Sequence, residues 1–224
     1  MTPMTPMTPI TKHALVVRGG WDGHVPIPTS DKYAAALKDD GYDVTVSDTL
    51  DSYLDEELLA RTDLIVQCWT MGQISGDQIS GLMKAVRAGT GFAGWHGGVI
   101  DAFRGETRYQ LMTGGQFVHH PREVTTYEVR TVADHPIVAG IERFTVTTEQ
   151  YYLHMDPRVE VLAVTDYAED PDAPELAGAV VPITWTRQWG AGRVFVTAVG
   201  HRMDDVDVPE VDAMIRRGMA WATR

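Results

Sequence analysis

A single cysteine, Cys68, stands among 224 residues, which excludes an intramolecular disulfide framework and any cysteine-rich zinc cluster. It lies in the apolar run DLIVQCW, where a buried structural thiol is the expectation. No uninterrupted apolar stretch reaches membrane-spanning length, so the chain reads as having no membrane partner. Positive charge is also scarce: 19 basic against 31 acidic side chains leave a formal net charge of −12. That field repels phosphate backbones, and no run of Lys and Arg offsets it, so nucleic acid is excluded as a partner class. A protein that handles small molecules is the reading that remains.

The start of the chain, MTPMTPMTP, lacks the basic and apolar regions of a signal peptide, and the cytoplasm is the expected location. Three Met-Thr-Pro repeats cannot sustain backbone pairing, so residues 1–11 read as a disordered or loosely docked arm. No linker divides the rest, and residues 12–224 read as one domain.

Beyond the arm, strand-like and helical segments alternate. HALVVRGG (His13–Gly20), YDVTVSDT (Tyr42–Thr49), DLIVQCW (Asp63–Trp69) and GFAGW (Gly91–Trp95) are strand-like. Between them lie helical segments at Ser30–Gly41, Leu54–Arg61 and Ser75–Gly91, the first and third beginning with Ser and ending at Gly. Strand-helix alternation at this spacing predicts parallel strands buried on both faces, with ligands beyond their carboxyl ends. The second half is β-rich with polar interleaving at 122–136, 143–155, 160–168 and 181–190, which predicts antiparallel additions. A buried strand, GRVFVTAVGH (Gly192–His201), and a helix over Val208–Ala222 close the chain.

Five of the eight histidines fall at strand ends or in Gly-rich loops: His24, His96, His119, His120 and His201. His96 is the most conspicuous. The stretch GWHGG has the pattern of a nucleophile elbow, a sharp strand-to-helix turn, but carries imidazole where such turns present Ser or Cys. Gly97 and Gly98 permit the tight turn and the close approach of a ligand to backbone N–H groups. Imidazole at the apex suits general acid/base catalysis or metal ligation. Without a thiol, the amide hydrolysis of a cysteine elbow cannot run here.

Asp101, five residues on, is placed to orient a histidine or to bind a sugar hydroxyl. Of the adjacent pair before Pro121, only one imidazole can enter a given pocket from an extended segment, and His120 is the favoured one. In TEQYYLH, Glu149 and Tyr151 share a face of an extended strand and can line one cleft. Several imidazoles and a carboxylate are donors for zinc or another divalent ion, with His96, His120 and His201 as candidate ligands, although no compact metal signature is present. Among the tryptophans, Trp95 beside the elbow is the one expected to face a sugar ring.

RGGWDGH (Arg18–His24), GWHGGVIDAF, the Tyr109–Pro121 segment YQLMTGGQFVHHP, DHPI, TEQYYL, PITWTRQWGAGRVF (Pro182–Phe195) and GH (Gly200–His201) occur in that order and together resemble the ThuA-like, or trehalose-utilisation, family. The resemblance implies a class I glutamine amidotransferase-like fold, a flavodoxin-like three-layer α/β sandwich. It places His96 at the position of the amidotransferase cysteine and His201 at that of the triad histidine. Thr148 departs from the D-E-x-Y pattern common in that family, while Glu149 is retained. The resemblance further implies carbohydrate metabolism, with acid/base chemistry by His96, His201 and Glu149 on keto-sugars or keto-glycosides derived from trehalose-like disaccharides. His24, Trp95, Gly97, Gly98, Asp101, His120 and Tyr151 are then substrate-binding candidates. Two other readings stay open: a noncatalytic sugar-binding or regulatory module, and a metal-dependent hydrolase. A symmetric homodimer is the default expectation for such a domain.

Overall fold

A computed structural model describes residues 11–224; of the arm expected over 1–11, all but Thr11 lie outside the described residues. Among the described residues eleven strands are formed: β1 His13–Gly20, β2 Asp43–Ser47, β3 Leu64–Thr70, β4 Gly91–Trp95, β5 Gly115–His119, β6 Val124–Thr131, β7 Arg143–Glu149, β8 Tyr152–Met155, β9 Glu160–Asp166, β10 Val180–Trp189 and β11 Gly192–Thr197. The helices are α1 Pro26–Asp39, α2 Glu56–Arg61, α3 Gly76–Ala88, α4 Thr107–Thr113, α5 Met203–Val206 and α6 Pro209–Ala222.

Nine strands make one mixed sheet in the order β2-β1-β3-β4-β11-β10-β9-β6-β7, and β5 pairs with β8 separately. β2, β1, β3, β4 and β11 are mutually parallel; from β10 onward every pairing is antiparallel. Helices on both faces complete a three-layer α/β sandwich, consistent with the flavodoxin-like expectation. α1 and α6 pack against the parallel strands on one face, and α2 and α3 lie on the other.

The parallel strands are continuous apolar runs because helices cover them on both sides. Leu15, Val16, Val17, Leu64, Ile65, Val66, Phe92, Ala93, Phe195 and Val196 are buried completely or nearly so. At about 25 cal/mol per Å² of apolar surface, each of these side chains larger than Ala93 contributes roughly 1.5–3 kcal/mol to holding the layers together.

Local chemistry sets the helix ends. α3 starts at a capping box in which Ser75 Oγ accepts from Gln78 N–H and the Gln78 side chain accepts from Ser75 N–H. α1 starts earlier than the expected Ser30. Pro26 occupies its first turn, where a missing N–H costs nothing, and Ser30 Oγ instead bonds the Ile27 carbonyl inside the helix.

The strand order reverses beside β1: the chain goes from β1 outward to β2, then returns to β3 on the other side. Ligand sites in open α/β sheets lie at the carboxyl ends of such strands. The antiparallel half bends toward the same place. Paired strands are about 4.8 Å apart, so a flat sheet would hold β7 roughly 24 Å from β4. β10 is bulged at two places against β9, and β6 pairs with β9 over only Val129–Thr131. Bulges add twist and bend a strand. The far edge thereby curls back over the carboxyl ends of the parallel strands.

Candidate active and metal-binding site

Four side chains from four different chain segments meet above that edge. His24 lies after β1, His96 after β4 and His201 after β11, while Glu149 ends β7, and all four are buried. Glu149 Oε2 is the hub, 3.0 Å from His96 Nε2, 3.3 Å from His201 Nδ1 and 3.7 Å from His24 Nε2. Each residue can offer a ligand atom lying within 4.8 Å of the other three. His120 stands at the rim, its Nε2 3.9 Å from the other carboxylate oxygen, Oε1.

The backbone around the cluster is strained. The non-glycine residues with left-handed φ among those described are Val25, Met71, His96, Phe103 and Glu123. They adjoin or include His24, Thr70, His96, Ala102 and the turn after His120. Such conformations cost of order 1–3 kcal/mol each and collect at functional sites. His96 itself has φ 47°, the sharp turn expected of an elbow, but the chain then enters a 3-10 turn over His96–Gly98 and not an α-helix. The next helix, α4, begins only at Thr107. Both glycines are required by close approach: a Cβ on Gly97 would lie 2.2 Å from His24 Nδ1, and one on Gly98 would lie 2.9 Å from Cys68 Cα. Beneath the turn, buried Gln67 donates to the Gly98 carbonyl at 3.3 Å and accepts from Tyr53 Oη at 2.9 Å.

A second layer orients the ring nitrogens. His96 Nδ1 is 2.8 Å from the Ala198 carbonyl and His24 Nδ1 is 3.0 Å from Thr70 Oγ1. A carbonyl only accepts, so His96 carries its proton on Nδ1 and, when neutral, turns the lone pair of Nε2 toward Glu149. Burial lowers the His96 pKa to about 4, against the opposing pull of Glu149, so the ring is neutral at pH 7. Burial alone would raise the Glu149 carboxyl; the His201, His24 and His96 rings overcome it and hold the group well below the usual carboxylate range.

A lone pair and a carboxylate oxygen therefore face each other at 3.0 Å. Two acceptors at that distance call for a proton or a metal cation between them. His201 Nδ1 is likewise buried without a well-directed hydrogen-bond partner. Zinc–nitrogen and zinc–oxygen bonds of about 2.0–2.1 Å in a tetrahedron set neighbouring ligand atoms about 3.3 Å apart. The observed 3.0, 3.3 and 3.7 Å bracket that spacing. The cluster can chelate a divalent ion, with the His96 and His24 rings fixed by hydrogen bonds on their far nitrogens as metal-ligating histidines generally are.

Glu149 reaches the cluster through a further pair of contacts. Thr148 Oγ1 donates to Asp205 Oδ2 at 2.7 Å, and the same carboxylate oxygen accepts from Arg202 N–H at 2.9 Å. Asp205 thus ties the end of β7 to the turn that carries His201. Tyr127 Oη donates to the Glu149 carbonyl at 3.2 Å. Tyr151 stacks on His96 with ring centroids 4.1 Å apart, and burial together with the Glu149 charge raises its phenol well above 10, so it remains a proton donor.

The other expected site residues are distributed unevenly. His120 faces Glu149, whereas His119 is exposed on β5. As a metal ligand His120 sits outside the cluster; His24 and Glu149 complete the donor set with His96 and His201. Asp101 is buried and held by Arg104 through both oxygens, alongside Tyr151. Trp95 is buried, tilted on Tyr33 at 4.7 Å and covered by Gly200. The aromatic at the mouth is Trp21, 49% exposed and edge-on to His24 at 4.9 Å. Its signal was adjacency, since W-D-G-H puts it three residues before His24. Thr70 and Asp205 carry weaker signals, an end-of-strand hydroxyl and an acid four residues past His201.

Comparison with known proteins places this geometry. A family model described as ThuA, trehalose utilisation, matches residues 13–222. A ThuA-like protein from Bacteroides uniformis is similar in structure with a TM-score of 0.77 at 15% identity, over 99% of this chain and 95% of that one. A ThuA-like protein from Parabacteroides merdae gives 0.74 at 14% identity, over 95% and 90%. A protein of Salmonella typhimurium described as cytoplasmic gives 0.61 at 12% identity, over 95% and 100%. No curated protein matches the chain in sequence.

Proposed function

The chain belongs to the ThuA family, described by trehalose utilisation, and we propose that it is a carbohydrate-processing enzyme acting on keto-sugars or keto-glycosides derived from trehalose-like disaccharides. The observation that carries the proposal is the convergence of His24, His96, His201 and Glu149 on one buried point, with the His96 lone pair opposed to a carboxylate oxygen. Structural ion networks do not need that confrontation. A centre that handles a proton or a cation does.

A carbonyl on a pyranose ring acidifies the neighbouring C–H bonds. Removing one proton gives an enolate, which is reprotonated on the other face or at another carbon, or expels a glycosidic oxygen from the adjacent carbon. Each route requires a base close to neutral pKa and stabilisation of the enolate oxygen. A divalent ion held by the four cluster residues would supply that stabilisation as a Lewis acid. His120, at the rim with Nε2 3.9 Å from Glu149 Oε1, is placed to accept and return the proton. Tyr151 donates from its protonated phenol, and Trp21 offers an apolar face at the mouth. If no ion is held, His96 and Glu149 share the proton and serve as the acid/base pair.

Descent from the class I glutamine amidotransferase fold is part of this reading. It is supported by the positive φ of His96 after β4 and by His201 after β11, while imidazole in place of a thiol at the elbow apex removes amidotransfer. We place the protein in the cytoplasm, as its Salmonella structural relative is described, and no described helix is long and apolar enough to cross a membrane. A symmetric dimer and the lack of a nucleic-acid partner belong to the same proposal.

A second reading, metal-dependent hydrolysis, is favoured by a donor set of three imidazoles and a carboxylate whose Glu149–His distances bracket the ligand spacing of zinc. Incubating the zinc-loaded and the chelator-treated protein with 3-keto-trehalose and related keto-disaccharides, and separately with the unoxidised disaccharides, with products followed by NMR, separates them. Elimination or isomer products support the leading proposal, and hydrolysis of unoxidised disaccharides supports the second. Saturable binding without turnover by either form makes the protein a binding module.

A further inference from the structure

A cleft of about 550 Å³ lies beside the cluster without including any of its four residues. Its walls are two loops, Met71–Ile74 after β3 and Phe103–Glu106 after the elbow. The volume falls within the range of small-molecule sites, about 300–1,000 Å³. The loops are clamped together: Met71 N–H donates to the Asp101 carbonyl at 3.1 Å and Phe103 N–H donates to the Met71 carbonyl at 3.2 Å. Met71 and Phe103 both have left-handed φ, at 57° and 49°, so the two rims are held in a strained form by one parallel bridge.

The cleft and the cluster share a wall. Met71 is next to Thr70, which holds His24. Arg104 packs its guanidinium over Phe117 at 5.3 Å, Phe117 lies 4.5 Å from Tyr151, and Tyr151 stacks on His96. A molecule with one ring at the cluster and a second ring beyond Tyr151 would enter this space.

Charge decides the class of occupant. Arg104 is neutralised by a two-pronged pair with Asp101, and Glu106 by a two-pronged pair with Arg108. No uncompensated cation is left among these four groups for a phosphate or carboxylate. Free hydrogen-bonding groups remain: Arg104 Nη1 and the Gln73 amide have no hydrogen-bond partner among the described residues. Paired carboxylate and guanidinium groups with unused donors suit the neighbouring hydroxyls of a neutral sugar.

Building on the function proposed above, we propose that the cleft between Met71–Ile74 and Phe103–Glu106 is the subsite for the second, unreacting ring of a neutral disaccharide, with Arg104 and Gln73 as its polar contacts.

The test is binding of trehalose, its 3-keto form, trehalose 6-phosphate and methyl α-glucoside to the full chain by calorimetry, which needs no turnover. Gly105→Trp fills the cleft: a Cβ there meets nothing within 4 Å and the φ is not left-handed, so the fold accommodates it. Gln73→Ala is a milder second variant, and Arg104→Ala is avoided because it would strand the buried Asp101 charge. The wild type should bind trehalose at least tenfold tighter than the one-ring glucoside. Gly105→Trp should remove that advantage and Gln73→Ala reduce it about threefold, both leaving methyl α-glucoside unchanged. Equal affinity for the two sugars, or equal weakening of both by Gly105→Trp, overturns the subsite while leaving the proposed function standing. Tighter binding of trehalose 6-phosphate than of trehalose overturns the neutral-ligand assignment. A wild type that binds neither these sugars nor their keto forms removes the subsite and the proposed function together.

Discussion

Replacing Gly97 by alanine tests the cluster without touching any of its donor atoms. The added Cβ would sit 2.2 Å from His24 Nδ1, 2.3 Å from its Cε1 and 3.1 Å from Tyr151 Oη. Ordinary contact is no closer than about 3.4 Å, so the His24 ring must withdraw by roughly 1 Å or more. The same nitrogen is anchored to Thr70 Oγ1 at 3.0 Å, so that bond breaks as the ring moves, and Nε2 loses its place beside Glu149. The backbone at Gly97 is not left-handed, so the substitution adds crowding and no dihedral strain. Stability should fall by about 1–3 kcal/mol, the usual cost of overpacking. Losing the orientation of one ligand should weaken divalent-ion affinity by about 10–100-fold, the scale seen when an orienting partner is removed. Cobalt(II) titration followed by visible absorption measures the affinity, and thermal melting of chelator-treated protein measures the stability. Unchanged cobalt affinity in a folded Gly97→Ala protein would refute the geometry on which the site rests.

Other outcomes rest on named contacts. His96 has a folded pKa of about 4 against an ordinary 6.5, so the unfolded chain binds the extra proton between those values. Its contribution is complete above pH 6.5 and is lost as pH falls toward 4, by up to about 3 kcal/mol, readable as a falling melting temperature in chelator. Thr148→Val removes the hydroxyl that binds Asp205 and should cost about 1–3 kcal/mol while lowering ion affinity; equal ion affinity would show that this tie does not position Glu149. Cys68 is 1% exposed and its thiol is pushed up to about 12 by burial, so a thiol reagent should label it only after unfolding; rapid labelling of the native protein would contradict that placement.

The parallel half of the fold was legible because its strands are buried on both faces and print as uninterrupted apolar runs: β1 and β4 have the bounds that their sequences predicted. α4 and β5 were not anticipated. Seven residues of helix carry too little periodicity, and Tyr109 and Met112 alone do not mark a face. At the site, His24, His96 and His201 were findable from one rule, that ligands lie beyond the carboxyl ends of parallel strands. The placement of Glu149 has a different origin. Its strand is five places from β4, and only the bulged, curled antiparallel half and the Thr148–Asp205 tie bring it over. No spacing in the chain encodes that curl. The burial of Trp95 was not legible, because adjacency to the elbow says nothing about which face of β4 a side chain takes, and successive strand residues alternate.

Hydrogen–deuterium exchange at the carbon beside the carbonyl of 3-keto-trehalose, monitored by NMR in heavy water, tests the central claim most directly. The wild type should catalyse the exchange and His96→Ala should lose most of that rate while keeping its fold. No exchange above the buffer rate, or an undiminished rate in His96→Ala, would contradict a chemical role for the cluster.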